Sequence, residues 1–289
     1  MKQTLASLLL FTCINLIAQT NSEVYLCEVK SEYGGLITYN FQNISNDEGY
    51  DSQPSFASDN QVLFAGNKGG QTDIAIYNIS EKTKTWFNKT TKGGEYSPIK
   101  IPDSSGKVSA VRLDLDGLQR LYLYDAISKE NIELIEGLQV AYYDFYNAEM
   151  IVASVLSGDD LDLVFSNLKT KKTDTLIRNV GRSIHKVPDS KMMSYTSVNE
   201  DKNHEVYLLD METKESFFVC QLPIGIQDYT WLNDSQILIG SGSKLYIYDT
   251  FLNSDWTEVA DLSEYDIKDI SRIAVSPNGA RLSLVAVPK

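Results

Sequence analysis

The sequence predicts an all-β fold, a six-bladed β-propeller with four-stranded blades whose last blade is closed by strands from both chain ends. Three observations predict it. A short apolar strand ending in Asp or Asn recurs along the chain, its copies lie about 40 to 50 residues apart, and two unmatched strands remain at each end.

The copies are Asp73-Ile-Ala-Ile-Tyr-Asn78, Leu121-Tyr-Leu-Tyr-Asp125, Asp162-Leu-Val-Phe-Ser-Asn167, Val206-Tyr-Leu-Leu-Asp210 and Leu245-Tyr-Ile-Tyr-Asp249. A further copy, Val24-Tyr-Leu-Cys-Glu28, lies near the N-terminus. Each sits in the same frame. A first strand precedes it, as in Pro54-Ser-Phe56 or Tyr229-Thr-Trp231, then a second, as in Gln61-Val-Leu-Phe-Ala65 or Gln236-Ile-Leu-Ile-Gly240. A fourth, rich in Thr, Lys and aromatics, follows, as in Lys84-Thr-Trp-Phe87 or Glu215-Ser-Phe-Phe-Val219. Period-two alternation fits strands, and helical spacing is sustained nowhere past the N-terminal apolar segment. The 17 tyrosines suit half-buried strand positions, with an apolar ring and a wet hydroxyl.

The ends complete the count. Strands near Val24–Val29 and Leu36–Phe41 precede the first full blade, and Ile270–Val275 and Arg281–Val287 follow the fifth. Two halves make a sixth blade, which ties the ring shut and removes exposed sheet edges. The propeller then occupies 19–289, with no second domain expected.

Residues 1–18 read as a signal peptide. Lys2 supplies the basic start, Leu5 to Ile17 a short apolar run, and Ala18 the residue before cleavage, leaving Gln19 as the mature N-terminus. The run is too short for a comfortable membrane span, so the expectation is export to the periplasm or the extracellular space. Phe11 and Thr12 precede Cys13 where a lipobox needs small residues, so no lipid anchor is expected. Cys27 and Cys220 fall in non-adjacent blades and are expected as buried, unpaired thiols.

A net charge of −13 repels phosphate backbones and anionic lipid, which argues against nucleic acid as a partner. The acid is dispersed in loops, as expected of a solubilising surface.

Asp51-Ser-Gln-Pro54-Ser-Phe56, Asn67-Lys-Gly-Gly-Gln-Thr-Asp73-Ile74, Glu95-Tyr-Ser-Pro98 and Ser276-Pro-Asn-Gly279-Ala-Arg-Leu282 together resemble the TolB-like family of periplasmic six-bladed propellers. The resemblance spans essentially the whole mature chain and speaks for the fold more than for a function. TolB itself has a separate N-terminal α/β domain, and related propellers precede a serine-peptidase domain. Here the propeller repeats claim the chain, so the resemblance implies a propeller alone, of the single-domain bacterial kind.

The loops entering the innermost strands form one mouth of the central channel. The residues expected there as a ligand-binding funnel are Asp51, Gln53, Glu95, Tyr143, Asp144, Arg182, His185, Asp228, Tyr229 and Arg272. Ser97 and Ser271 stand at equivalent entries. The bland alternative is that these groups only satisfy blade ends. Arg182 and His185 are three apart, so a regular strand points them to opposite faces and only a bulge brings them together. His204, beside Asn203, is expected in a solvated loop.

No cofactor, metal or catalytic residue is assigned. Asp114-Leu-Asp-Gly117 and Asp159-Asp-Leu-Asp162 lack the later ligands of a calcium loop, and two histidines give little for zinc. Gly240-Ser-Gly-Ser-Lys244 lacks nucleophile-elbow spacing. The expectation is a monomeric, non-catalytic propeller binding an envelope or extracellular protein, peptide or glycan through its funnel or blade-end loops. The alternative is a hydrolase or lyase acting on a sugar or peptide with the polar residues of the funnel.

Overall fold

The structure, a computed structural model, describes residues 21–289 except 33, 89, 91, 253 and 254. The expected signal peptide over 1–18, Cys13 and the expected mature start at Gln19 lie outside the described residues. In chain order the strands begin with β1 (Glu23–Glu32) and β2 (Gly35–Asn43). Blade 1 is β3 (Ser52–Ser58), β4 (Gln61–Lys68), β5 (Gln71–Asn78) and β6 (Thr83–Trp86). Blade 2 is β7 (Gly94–Lys100), β8 (Lys107–Leu113), β9 (Gln119–Asp125) and β10 (Asn131–Glu133). Blade 3 is β11 (Val140–Asn147), β12 (Met150–Ser157), β13 (Asp160–Asn167) and β14 (Lys172–Ile177). Blade 4 is β15 (Val180–Lys186), β16 (Met192–Val198), β17 (His204–Asp210) and β18 (Ser216–Gln221). Blade 5 is β19 (Thr230–Trp231), β20 (Gln236–Ser241), β21 (Lys244–Asp249) and β22 (Thr257–Asp261). β23 (Ile267–Val275) and β24 (Arg281–Pro288) end the chain.

Every sheet has four antiparallel strands, and the sixth runs β2-β1-β24-β23. β1 pairs with β24 from Glu23 opposite Ala286 to Glu28 opposite Arg281. Blade 6 is therefore half N-terminal and half C-terminal, as the unmatched end strands require. Its turn at Ser276-Pro277-Asn278-Gly279 also holds blade 1. Gly279 takes the left-handed φ of +70° that the turn needs, the Asn278 amide donates to Asp59 Oδ1 at 3.0 Å, and Arg281 donates to the Asp59 carbonyl at 2.9 Å.

The core has no common centre. Six apolar clusters among the described residues each lie between neighbouring blades. Val24, Leu26 and Val285 of blade 6, for example, pack on Val62, Phe64 and Tyr77 of blade 1. A blade is therefore covered on both faces, and its second strand reads as a continuous buried run, such as Val62 to Ala65 or Ile151 to Val155, where simple alternation was expected. Outer strands are wetter, and residues 172–175 of β14 are all exposed.

The Asp or Asn that closes each repeat has a physical job. In blades 2 to 5 its side chain accepts the backbone N–H groups two and three residues on, turning the third strand into the fourth. Asp125 takes Ile127 and Ser128 at 2.7 and 3.1 Å, Asp210 takes Glu212 and Thr213 at 2.7 and 3.0 Å, and Asn167 takes Lys169 and Thr170 at 3.1 and 2.9 Å. Four residues after it, blades 1 to 4 place Lys82, Lys129, Lys171 and Lys214, all with left-handed φ between 52° and 65°. That Lys was a readable part of the repeat.

Cys27 and Cys220 are free and buried in different clusters, as expected, and burial pushes both thiols up to about 12. No described helix is long and apolar enough to cross a membrane.

Candidate ligand-binding funnel at the channel mouth

The first strand of each blade is an end strand of its sheet and lines the channel. In β3, β7, β11, β15 and β23 the register slips near the strand's start, between Ser52 and Ser55, Tyr96 and Ile99, Val140 and Tyr142, Val180 and Ile184, and Lys268 and Arg272. Such bulges re-aim side chains. Gln53 and Ser97 sit in two of them at φ +55° and +49°, a conformation costly for residues other than glycine.

The bulged segments clasp one another around the ring. From blade 1 to 2, Ser97 N–H donates to Gln53 Oε1 at 2.8 Å and the Ser55 hydroxyl to the Pro98 carbonyl at 2.5 Å. From 2 to 3, the Tyr143 hydroxyl donates to the Ser97 carbonyl at 3.0 Å and meets Ser109 Oγ at 2.8 Å. From 3 to 4, Asp144 Oδ2 accepts the Lys186 N–H at 2.8 Å. From 4 to 5, Arg182 Nη2 donates to Asp228 Oδ2. From 5 to 6, Arg272 Nη1 donates to Asp228 Oδ1 at 2.5 Å.

Eight of the ten expected residues line one cavity of about 290 Å³: Gln53, Tyr143, Asp144, Arg182, His185, Asp228, Tyr229 and Arg272. Arg182, Asp228, Tyr229 and Arg272 also border a second, of about 260 Å³, lined by Gln227, Ser241, Asp269 and Ser271. The other two sink into the blades. Asp51 is wholly buried beside the ring closure, where its Oδ1 accepts the Asn67 N–H at 2.9 Å and its backbone bonds Ser22. Burial pushes its carboxyl up to about 7. Glu95 is also wholly buried, accepts the Tyr124 hydroxyl at 3.1 Å, and is raised by burial.

The funnel's groups are tuned by desolvation. Asp144 is pushed up to about 6 by burial, against the Lys186 and Phe145 N–H groups that stabilise its anion. His185 is pushed down to about 4 by burial, opposed by Asp228, so its imidazole is neutral at pH 7. Its Nε2 lies 3.0 Å from Ser183 Oγ and its ring stands edge-on to Tyr229 at 4.9 Å. The bulge needed to turn Arg182 and His185 toward one cavity is present in β15. Yet they bond different partners, Arg182 to Asp228 and His185 to Ser183.

Three groups escaped the sequence reading. Tyr142 lies under the Arg272 guanidinium, 5.5 Å from ring centroid to Cζ. The buried Ser109 and Ser194 tie down the Tyr143 and Tyr229 hydroxyls at 2.8 and 2.7 Å. Both stand at the third position of a second strand, as Ser283 does, and that recurrence was visible. His204 corrects an expectation: it opens β17, half-buried, and burial and Arg182 lower its pKa. Asp114 and Asp116 are engaged by guanidiniums, with Arg112 and Arg120 at 2.5 and 2.7 Å from Asp114 and Arg120 at 2.7 Å from Asp116.

Fold and channel together define the class, a six-bladed β-propeller whose fold is like that of TolB. Among solved structures, a candidate TolB from Agrobacterium tumefaciens matches with TM-score 0.69 at 8% identity, covering 94% of this chain and 100% of the other. TolB from Acinetobacter baumannii matches at 0.58 and 9%, covering 91% of this chain, which spans 64% of that one. An oligogalacturonate lyase in complex with manganese matches at 0.57 and 12%, with 88% and 82% covered. Identities this low show the fold alone. No family model matches the chain, and no curated protein matches it in sequence.

Proposed function

We propose that this chain is an exported, non-catalytic binding propeller that takes a protein, peptide or glycan ligand at its channel mouth. One observation carries the reading: Arg182, Asp228 and Arg272, drawn from three blades, meet in the wall between two cavities at that mouth. A concave site with a few fixed polar groups is the usual setting for a ligand. The carboxylates beside it are held in place. Both oxygens of Asp228 bond guanidiniums and both of Asp144 bond backbone N–H groups, which suits recognition better than proton transfer. Export is supported by the N-terminal Lys2 and apolar run to Ile17, and by the likeness in fold to TolB propellers.

The test is capture of ligand from envelope and culture extracts by the purified chain, with Arg272→Ala and the outer-strand variant Phe218→Ala alongside. Loss of the captured ligand with Arg272→Ala only is the expected result. Turnover of an extract component with no stably held ligand would sink the reading.

A second reading, a hydrolase or lyase, is favoured by the raised Asp144 carboxyl and the lowered His185 imidazole in one channel, since perturbed groups gather at reaction sites. One neighbour in fold is a lyase. Substituting His185 and Arg182 by Ala and assaying a panel of sugars and peptides decides it. Lower thermal stability with no substrate consumed by the parent protein leaves both residues structural.

A further inference from the structure

Asp228 is one anion shared by two cations. Its Oδ1 takes Arg272 Nη1 and its Oδ2 takes Arg182 Nη2, each a single bond where a guanidinium offers five donors. Arg182 Nε is buried with no hydrogen-bond partner among the described residues. The triad thus holds unused guanidinium donors, in a wall that two cavities share. The other groups that face the cavities bond elsewhere or are uncharged. Asp144 accepts the Phe145 and Lys186 N–H groups, and burial holds His185 neutral. Asp269, an exposed lining residue of the smaller cavity, makes no ion pair with Arg182 or Arg272 among the described residues.

We propose that the channel mouth receives the C-terminal carboxylate of an extended peptide, held by the free donors of Arg272 and Arg182 across from Asp228. This rests on the binding-propeller reading and names its ligand. A peptide carboxylate takes the donors that Asp228 leaves unused, as charge-assisted hydrogen bonds of the kind guanidinium forks make to carboxylates.

Four features favour a peptide end over other carriers of a carboxylate. Cavities of about 260 and 290 Å³ admit the end of a chain and are too small for a domain surface. A protein of net charge −13 repels a polyanionic glycan, whereas a peptide terminus brings one charge. The Arg272 guanidinium stands over one face of the Tyr142 ring, 5.5 Å from its centroid, which leaves less aromatic surface for a sugar ring to stack on. The lining also includes Pro54, Pro98, Ile184 and Ile273, an apolar setting for a terminal side chain, on strands whose inner edges pair with no other strand.

The test uses the full mature chain and a pool of N-terminally labelled tetrapeptides with apolar last residues, as free acids and as C-terminal amides, read by fluorescence anisotropy. The free acids should bind and the amides should be roughly tenfold weaker or worse, as expected when a charge-assisted fork is lost. Arg272→Lys, which keeps the charge and removes the fork, should lose most of that preference while retaining the parent's circular dichroism and melting temperature. Equal binding of acid and amide, or binding by neither, overturns the proposal. So does Arg272-dependent binding of oligogalacturonate fragments in place of peptides. If extracts yield a ligand that depends on Arg272 but has no free C-terminus, this proposal falls and the binding-propeller reading stands.

Discussion

Asp228, just before β19, accepts a 2.5 Å hydrogen bond from Arg272 of β23, joining blades 5 and 6 across 44 residues of sequence. The same carboxylate holds Arg182 of blade 4. A group expected at the funnel is therefore also a clasp of the ring, and its substitution should be felt in stability as well as in binding.

Asp228→Ala leaves two guanidiniums without their anion. With side chains 12%, 29% and 17% exposed for Asp228, Arg182 and Arg272, the loss should be about 2–3 kcal/mol, below that of a fully buried pair because water reaches the cations. Arg272→Ala should cost less, since Asp228 keeps Arg182. Urea denaturation at pH 7 measures both, and an Asp228→Ala midpoint equal to the parent's would refute the clasp.

Asp51 should make the protein less stable as pH rises from about 4 to about 7. Its folded carboxyl is pushed up to about 7 from the ordinary 3.8, so in that window the native state holds the proton more tightly than the unfolded chain, and raising the pH removes that advantage. Asp51→Asn stays neutral throughout and should gain stability over the parent at pH 8, by up to about 4 kcal/mol, with little change near pH 4. His185 works in the opposite sense. Its folded pKa of about 4 lies below the ordinary 6.5, so its contribution is lost as pH falls through that range. Melting curves of both proteins from pH 4 to 8 separate the two.

Deleting residues 21–43 should open the ring and abolish cooperative unfolding. β1 and β2 form half of blade 6, and Val24, Leu26, Tyr25 and Cys27 fill parts of the clusters on both its sides. A truncated chain that still melts in one sharp transition would show that closure by the N-terminal strands is dispensable.

Gly240→Ala should destabilise by about 1–3 kcal/mol, the usual range for overpacking. A Cβ at Gly240 of blade 5 would run into the side chain of Ile270 of blade 6, within a seam where neither strand can back away cheaply. Ile270→Ala removes the Cγ2 that the new Cβ would strike, so it should cost less in the Gly240→Ala background than in the parent, which a double-mutant cycle measures.

The sequence by itself determined the blade count, the four-strand frame and the closure, because each is written in local chemistry. Asp125 and Asp210 must cap the turns that follow them, Gly279 must take a positive φ, and apolar strands recur at blade spacing. It also placed eight of the funnel's residues near one mouth. Only the tertiary structure decided which of them meet. A bulge adds one residue to a strand and reverses which side chains face the channel, and period-two reading cannot locate it. Hence Asp51 and Glu95, at entries that look equivalent to Asp228, turned into the blades, where burial raised their carboxyls. Asp228 met Arg182 and Arg272, 46 and 44 residues away, because ring closure brings together blade ends that no local pattern pairs.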